Sequence, residues 1–255
     1  MKLYLMSFYL LSSSPLFAKG LENRQVPLSR GIARPSVGTV LENENPAGLI
    51  LNEDHLVFHA SITSDDGHFN PFQANTAALY GTSNVGAAVG IRTSTEDVKD
   101  DFGFEGGGAF LFQNLSLGIS GHKYSSSTEI VDLVFGFLAN PFENFKWGGV
   151  FYNTDTYYYH FGFGLAYEFL DQFAIGLDVL DVRNQDRFEL YPGVFATIKK
   201  YTLGMSYKIT TQADSNIPPA DRVSASVACQ MGRNYDVQFI YNYIGKIYLG
   251  VSWGW

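Results

Sequence analysis

The chain has 255 residues and a formal charge of −8; Asp and Glu (25) outnumber Lys and Arg (17), which argues against nucleic acid as a partner because no basic excess is available to neutralise phosphates. Charged residues are only 16%, below the roughly one quarter of soluble domains, yet mean hydropathy is −0.02, too low for a bundle of membrane helices. Cys229 is alone, so neither a disulfide framework nor a cysteine metal cluster is expected.

Residues 1–18 read as a secretory signal: Lys2, a short apolar core from Leu3 to Leu11, and Leu16-Phe17-Ala18 as the cleavage site. The apolar run is too short to span a membrane as a helix. Residues 19–53 lack sustained alternation and carry Arg24, Arg30, Arg34, Pro27, Pro35 and Pro46. An irregular polar segment attached to a membrane protein is buried in protein or faces a watery lumen. A periplasmic leader outside the fold is the alternative.

From His55 to the end, 54–255 in domain terms, the pattern has a period of two. Leu56, Phe58, Ala60 and Ile62 share one face, as do Val85, Ala87, Val89 and Ile91. The same holds for Phe102, Phe104, Phe110 and Phe112; for Leu115, Leu117 and Ile119; and for Val131, Leu133, Phe135 and Phe137. Later runs include Tyr157 to Phe169, Phe173 to Val179, Phe188 to Val194, Tyr201 to Tyr207, Val223 to Val227 and Tyr235 to Tyr243. Only Phe72 to Tyr80 is ambiguous in phase. The alternate faces are small: Ser116, Gly118 and Ser120; Thr202, Gly204 and Ser206; Ser224, Ser226 and Ala228. A soluble sandwich would place charges there, whereas a narrow, occupied barrel interior needs small residues. The expected fold is therefore all-β, an antiparallel transmembrane barrel of about fourteen strands, or twelve if two segments merge.

The connections alternate. Ser64 to Pro71, Thr93 to Asp101, Tyr124 to Ser127, Val182 to Asp186 and Thr210 to Pro219 are the longer, polar ones; Thr82-Ser83, Gln113-Asn114 and Lys199-Lys200 are tight. Asn140 to Glu143 and Tyr243 to Gly245 do not fit the rule. Long loops on one side and short turns on the other place both termini in the periplasm of an outer-membrane barrel. The last strand supports this. Ile247, Leu249, Val251, Trp253 and Trp255 alternate with Lys246, Tyr248, Gly250, Ser252 and Gly254. This resembles the C-terminal strand of bacterial outer-membrane barrels, which ends on an aromatic, and implies that Trp253 and Trp255 form an assembly signal for the barrel-assembly machinery. Membrane lipid and lipopolysaccharide are the expected surroundings.

A second resemblance rests on Leu28-Ser29-Arg30-Gly31-Ile32-Ala33-Arg34 followed by Glu44-Asn45-Pro46-Ala47-Gly48-Leu49, directly before the first strand. It is similar to the N-terminal segment of the long-chain fatty acid transporter family of outer-membrane barrels, with Asn45-Pro46-Ala47 carrying the match. The resemblance implies a segment folded inside the barrel as a hatch, and passive uptake or binding of small hydrophobic compounds such as fatty acids. Here the stretch between Arg34 and Asn45 is shortened and the whole chain is smaller than the family's typical members. In that family a kinked strand opens a lateral path, and Gly106-Gly107-Gly108 is the candidate by that likeness. Read from the residues alone, consecutive glycines mark a bulge, a close backbone approach or barrel curvature.

The inward phase carries Glu105, His122, Asp132, His160, Glu168, Asp178, Glu189, Lys208, Arg222 and Asp236. Ionisable groups at bilayer depth pair with one another in the lumen, and this network is expected to tether Arg30 and Arg34. Catalysis is the weaker reading. Ser120 and His122 share a face, as do His160 and Glu168, but no nucleophile elbow is present. No metal site, cofactor or enzymatic activity is expected. A structural barrel with a plugged lumen is the alternative function, and a barrel hydrolase the third.

Overall fold

The computed structural model describes residues 32–33, 45–50, 55–64, 72–96, 99–124, 131–142, 144–153, 159–169, 172–182, 187–211, 223–231, 235–241 and 247–254. Fourteen strands make one antiparallel sheet. They are β1 (His55–Ser64), β2 (Phe72–Gly81), β3 (Val85–Glu96), β4 (Lys99–Phe112), β5 (Leu115–Tyr124), β6 (Asp132–Phe142) and β7 (Phe145–Tyr152). There follow β8 (Tyr159–Phe169), β9 (Phe173–Val182), β10 (Phe188–Ile198), β11 (Tyr201–Tyr207), β12 (Val223–Gln230), β13 (Tyr235–Tyr241) and β14 (Ile247–Gly254). Ile209–Thr210 continues β11 past Lys208 and pairs with β10 in the register β11 began.

Each strand pairs with its neighbours in sequence, and β14 pairs with β1 from Val57↔Gly254 to Ser64↔Ile247. With β10 joined to β11 and β11 to β12, the ring of pairings returns on itself. Closure removes the unpaired strand edges that a bilayer cannot satisfy with water.

The two rims differ, as the spacing predicts. At one rim, the turn end, Gln113 and Lys199 take positive φ values of 56° and 57° in tight hairpins. β1 begins and β14 ends at this rim. Two connections depart from the sequence expectation. Thr93 to Asp101 is not a long loop: β3 and β4 stay paired out to Glu96↔Lys99, since Thr93, Ser94 and Thr95 continue a strand at little cost. Asn140 to Phe142 is also strand, because β6 runs to Phe142, which pairs with Phe145. The register shifts between Ala139 and Phe142, around Pro141, whose ring nitrogen has no proton for the ladder.

The outer face is apolar and exposed, with Phe58, Val89, Phe104, Phe110, Ile175, Leu203, Met205 and Val251 among its residues. Phe137, Trp147 and Phe163 form an edge-on row across β6 to β8 at centroid spacings of 5.5 and 5.9 Å. A soluble protein could not present such a surface, and the chain is an outer-membrane-type β-barrel. β2, ambiguous in sequence, turns Asn75 and Leu79 inward and Thr76 and Tyr80 outward. Its alanines give no hydropathy contrast from which to read the phase.

Candidate functional site

The lumen is occupied. Pro46–Leu49 forms a single 3-10 turn, capped by Asn45, whose Oδ1 accepts from the Ala47 N–H at 3.1 Å. Pro46 suits the first helical position, where the missing N–H has no partner to lose. Asn45 is fully buried. Its Nδ2 donates to the Ile32 carbonyl at 2.8 Å and to the Phe137 carbonyl of β6 at 2.7 Å. One side chain therefore caps the turn, joins two parts of the N-terminal segment and fixes both to the wall. Ser116 on β5 donates to the Ala47 carbonyl at 2.7 Å, and Asp178 on β9 accepts from the Ile32 N–H at 3.3 Å.

The wall makes room for this segment with glycine. A Cβ on Gly136 would collide with Asn45 Oδ1, and one on Gly118 would collide with the backbone of Pro46 and Ala47. Gly86 lies against Leu49, Gly148 against Ile32, and Gly164 against Asp178 and Ala33. These inward glycines on β3, β5, β6, β7 and β8 form a track on which the segment's backbone lies close to the wall's. Side chains lock it from above and beside. Ile32 packs with Val134, Val150, Tyr152, Leu180 and Tyr191. Leu49 and Ile50 pack with Val57, Leu79, Ala88 and Ala109.

Among the described residues, several inward charges meet in pairs across neighbouring strands. Arg92 meets Glu105 at 3.0 Å and donates from Nε to Asn75 at 3.1 Å. His122 Nε2 lies 3.1 Å from Asp132. Glu189, fully buried, accepts from Lys208 at 2.7 Å and from the Tyr191 hydroxyl at 2.5 Å, with Arg187 at 3.6 Å. Lys146 and Glu168 meet at 2.6 Å near the turn end. Removing one partner from such a pair leaves a charge stranded in low dielectric, so each pair fixes two strands relative to each other. Across the closing seam, His59 Nδ1 and Ser252 Oγ are 2.9 Å apart.

One expected member is misplaced by the sequence reading. His160 does not face the lumen. The register of β8 against β9 shifts between Tyr159 and Gly162, and this bulge turns His160 outward together with Phe161. Its ring sits 5.3 Å from Phe151 and its Nδ1 3.7 Å from Asp181. The His160–Glu168 pairing considered for catalysis is therefore absent, and Glu168 is held by Lys146. The glycine triplet also differs from a kink. The ladder runs through Gly106, Gly107 and Gly108 on both sides with no register shift and no lateral opening. Gly106 and Gly108 face outward and Gly107 inward beside Ser120, so the strand needs neither a bulge nor a gap there.

Arg30, Arg34, Arg222 and Trp255 lie outside the described residues, as do the leader and most of residues 19–53. Asp236 is placed only by its backbone, opposite Ser252 on β14. Trp253 faces outward and tilts against Phe58 across the seam, ring centroids 6.5 Å apart. Residues that sequence reasoning missed include Arg92, Asn75, His59 and Lys146. All four occupy the inward phase of their own strands, and that phase was the available signal for Arg92, His59 and Lys146, whereas β2 gave no phase from which to read Asn75. Arg187 precedes β10 and had none.

No family model and no curated protein matches the chain. Among solved structures, the chain is similar to a mutant of the Rh. blastica porin (9% identity, TM-score 0.47), covering 79% of this chain and 98% of that one. It is also similar to the KdgM porin (9% identity, TM-score 0.42), covering 78% of this chain and 98% of that one. None of these comparisons shows the long-chain fatty acid transporter family.

Proposed function

We propose that this barrel serves passive uptake or binding of small hydrophobic compounds, fatty acids among them, with the luminal N-terminal segment closing the path at rest. The observation that carries this reading is the glycine track. It seats a separate piece of chain inside the wall through a handful of hydrogen bonds, where a purely structural barrel could fill its lumen with wall side chains. Capture would occur at the loop end and release at the turn end, which lies in the periplasm with both termini. The paired inner charges hold the wall's shape while the segment moves, and no energy source is needed. Lipopolysaccharide and phospholipid would surround the barrel, and Trp253 with Trp255 would address it to the assembly machinery.

The test is deletion of Leu21 to Pro46, followed by planar-bilayer conductance and by uptake of a labelled fatty acid into proteoliposomes. Both should rise in the deletion. The second reading, a solid barrel that only organises its neighbours, is favoured by the two apolar clusters around the segment, whose members are nearly inaccessible. It requires no conductance before or after the deletion.

A further inference from the structure

We propose that the outer wall carries a seat for one acyl chain of a membrane phospholipid, in the leaflet beside the turn end. A groove of about 650 Å³ crosses the outer faces of β14, β1, β2, β3 and β4. Its floor is Ala60, Thr76 and Ala78, which are contiguous in the ladder: Ala60 pairs with Thr76, and Phe58 with Ala78. These three small residues lie side by side between the large outward side chains of Phe58, Ile91, Val251 and Trp253, and so leave a hollow.

The groove has a direction. One end is bounded by Phe58 and Trp253, close to the turn end, where Gly254 pairs with Val57. The other is bounded by Ile91 and Phe104, which pair with each other midway along β3 and β4. The hollow therefore runs from one rim to mid-height, the depth of a single leaflet. Trp and Tyr sit at headgroup level in membrane proteins, which suits Trp253 at the entry. No Asp, Glu, Lys or Arg lines the groove; His59 borders it but is buried with its ring nitrogen on Ser252, and Thr76 supplies the one hydroxyl, so a headgroup would stay at the rim while hydrocarbon fills the interior. The volume lies within the range of about 300–1,000 Å³ for small-molecule sites.

The occupant is a flexible chain rather than a second barrel. Phe58 and Phe104 stand out from the wall at 45% and 63% exposure. Between such ridges a rigid convex barrel cannot reach the alanine floor, whereas an acyl chain can. This inference rests on the membrane-spanning wall and not on transport, so loss of uptake leaves it intact and loss of lipid binding leaves uptake untouched.

The experiment uses the full chain in detergent micelles, with Trp147→Phe and Trp255→Phe leaving Trp253 as the emitter, since the chain has three Trp. Phosphatidylethanolamine brominated on its acyl chains is titrated as quencher. Quenching should saturate. Ala78→Phe and Thr76→Phe, which fill the floor, should each raise the half-saturating lipid by about tenfold, the equivalent of ~1.4 kcal/mol. Outward Phe is already common on this wall, so both variants should fold, which the heat-dependent gel shift of barrels checks. Linear quenching without saturation, or unchanged half-saturation in the folded variants, would overturn the seat. Saturation at lower concentration with a brominated free fatty acid would overturn the assignment to phospholipid.

Discussion

The inner wall has two unlike halves. From β3 to β8 it is built around Gly86, Gly118, Gly136, Gly148 and Gly164, and the N-terminal segment lies against it. On β9 and β10 it sends in Leu180, Glu189, Tyr191 and Phe195, all nearly inaccessible. Neither half would pack alone. The glycine half leaves a trough and the bulky half fills the remaining bore, so the segment is clamped off-centre between them. Small residues inside a barrel are thus not evidence of an open pore; here they mark where another piece of backbone is received.

If the halves differ in this way, they should fail differently. On the bulky side, Glu189→Gln removes the charge that faces Lys208 and Arg187 and keeps the shape. A cation is left beside a neutral amide at a buried site, and the expected cost is about 3 kcal/mol. The urea midpoint of the reconstituted barrel should fall accordingly, while the segment remains protected from trypsin. On the glycine side, Gly136→Val should cost less, about 1–3 kcal/mol as overpacking does. Its main effect should be on the segment, because the new side chain takes the space of the Asn45 amide. Trypsin should then cut after Arg24 or Arg30 under conditions where the parent resists. Equal protection in both variants would erase the distinction between the halves.

Asn45→Ala isolates the polar part of the clamp. It leaves the Ile32 and Phe137 carbonyls without this donor and the Ala47 N–H without its cap. A buried group losing its partner costs about 1–3 kcal/mol, which should be felt by the segment and not by the ladder. Hydrogen exchange should therefore quicken at Ala47 and Gly48, whereas amides of β9 and β10 keep their protection. Faster exchange throughout the barrel would show that the segment holds up the wall.

Much of this was legible in the sequence. Period-two alternation gave the outward residues strand by strand, because lipid demands a large apolar side chain at nearly every outward position. Closure of β1 on β14 followed from loop parity. The Asn45-Pro46-Ala47 stretch could be read as a break directly before the first strand, but its partners could not, since two are main-chain carbonyls that any residue offers. The inward face was less legible. Leu79, Val134, Leu180 and Val182 are apolar on strands whose outer faces are apolar too, so no contrast exposes them. His160 was read into the lumen because alternation counts residues, and a bulge adds one without leaving a composition signal.

The glycine triplet of β4 offers the smallest effect and a test at single-residue resolution. Gly106 and Gly108 face outward, where an added Cβ would come no closer than 3.4 and 3.5 Å to the carbonyls of Ala88 and Gly86. Gly107 faces inward, where a Cβ would lie 2.8 Å from the Ile119 carbonyl and 2.9 Å from Ser120 Cβ. Alanine at the outer positions should therefore be neutral or stabilising, by up to about 0.4–1 kcal/mol, because it restricts the unfolded chain without straining the fold. Alanine at Gly107 should instead destabilise, since Ser120 sits on a paired strand and can yield little. Urea midpoints of the three single variants give the comparison directly. If Gly106→Ala and Gly108→Ala lowered the midpoint as much as Gly107→Ala, the triplet would be needed for bending rather than for room, and a mobile wall at β4 would return to consideration.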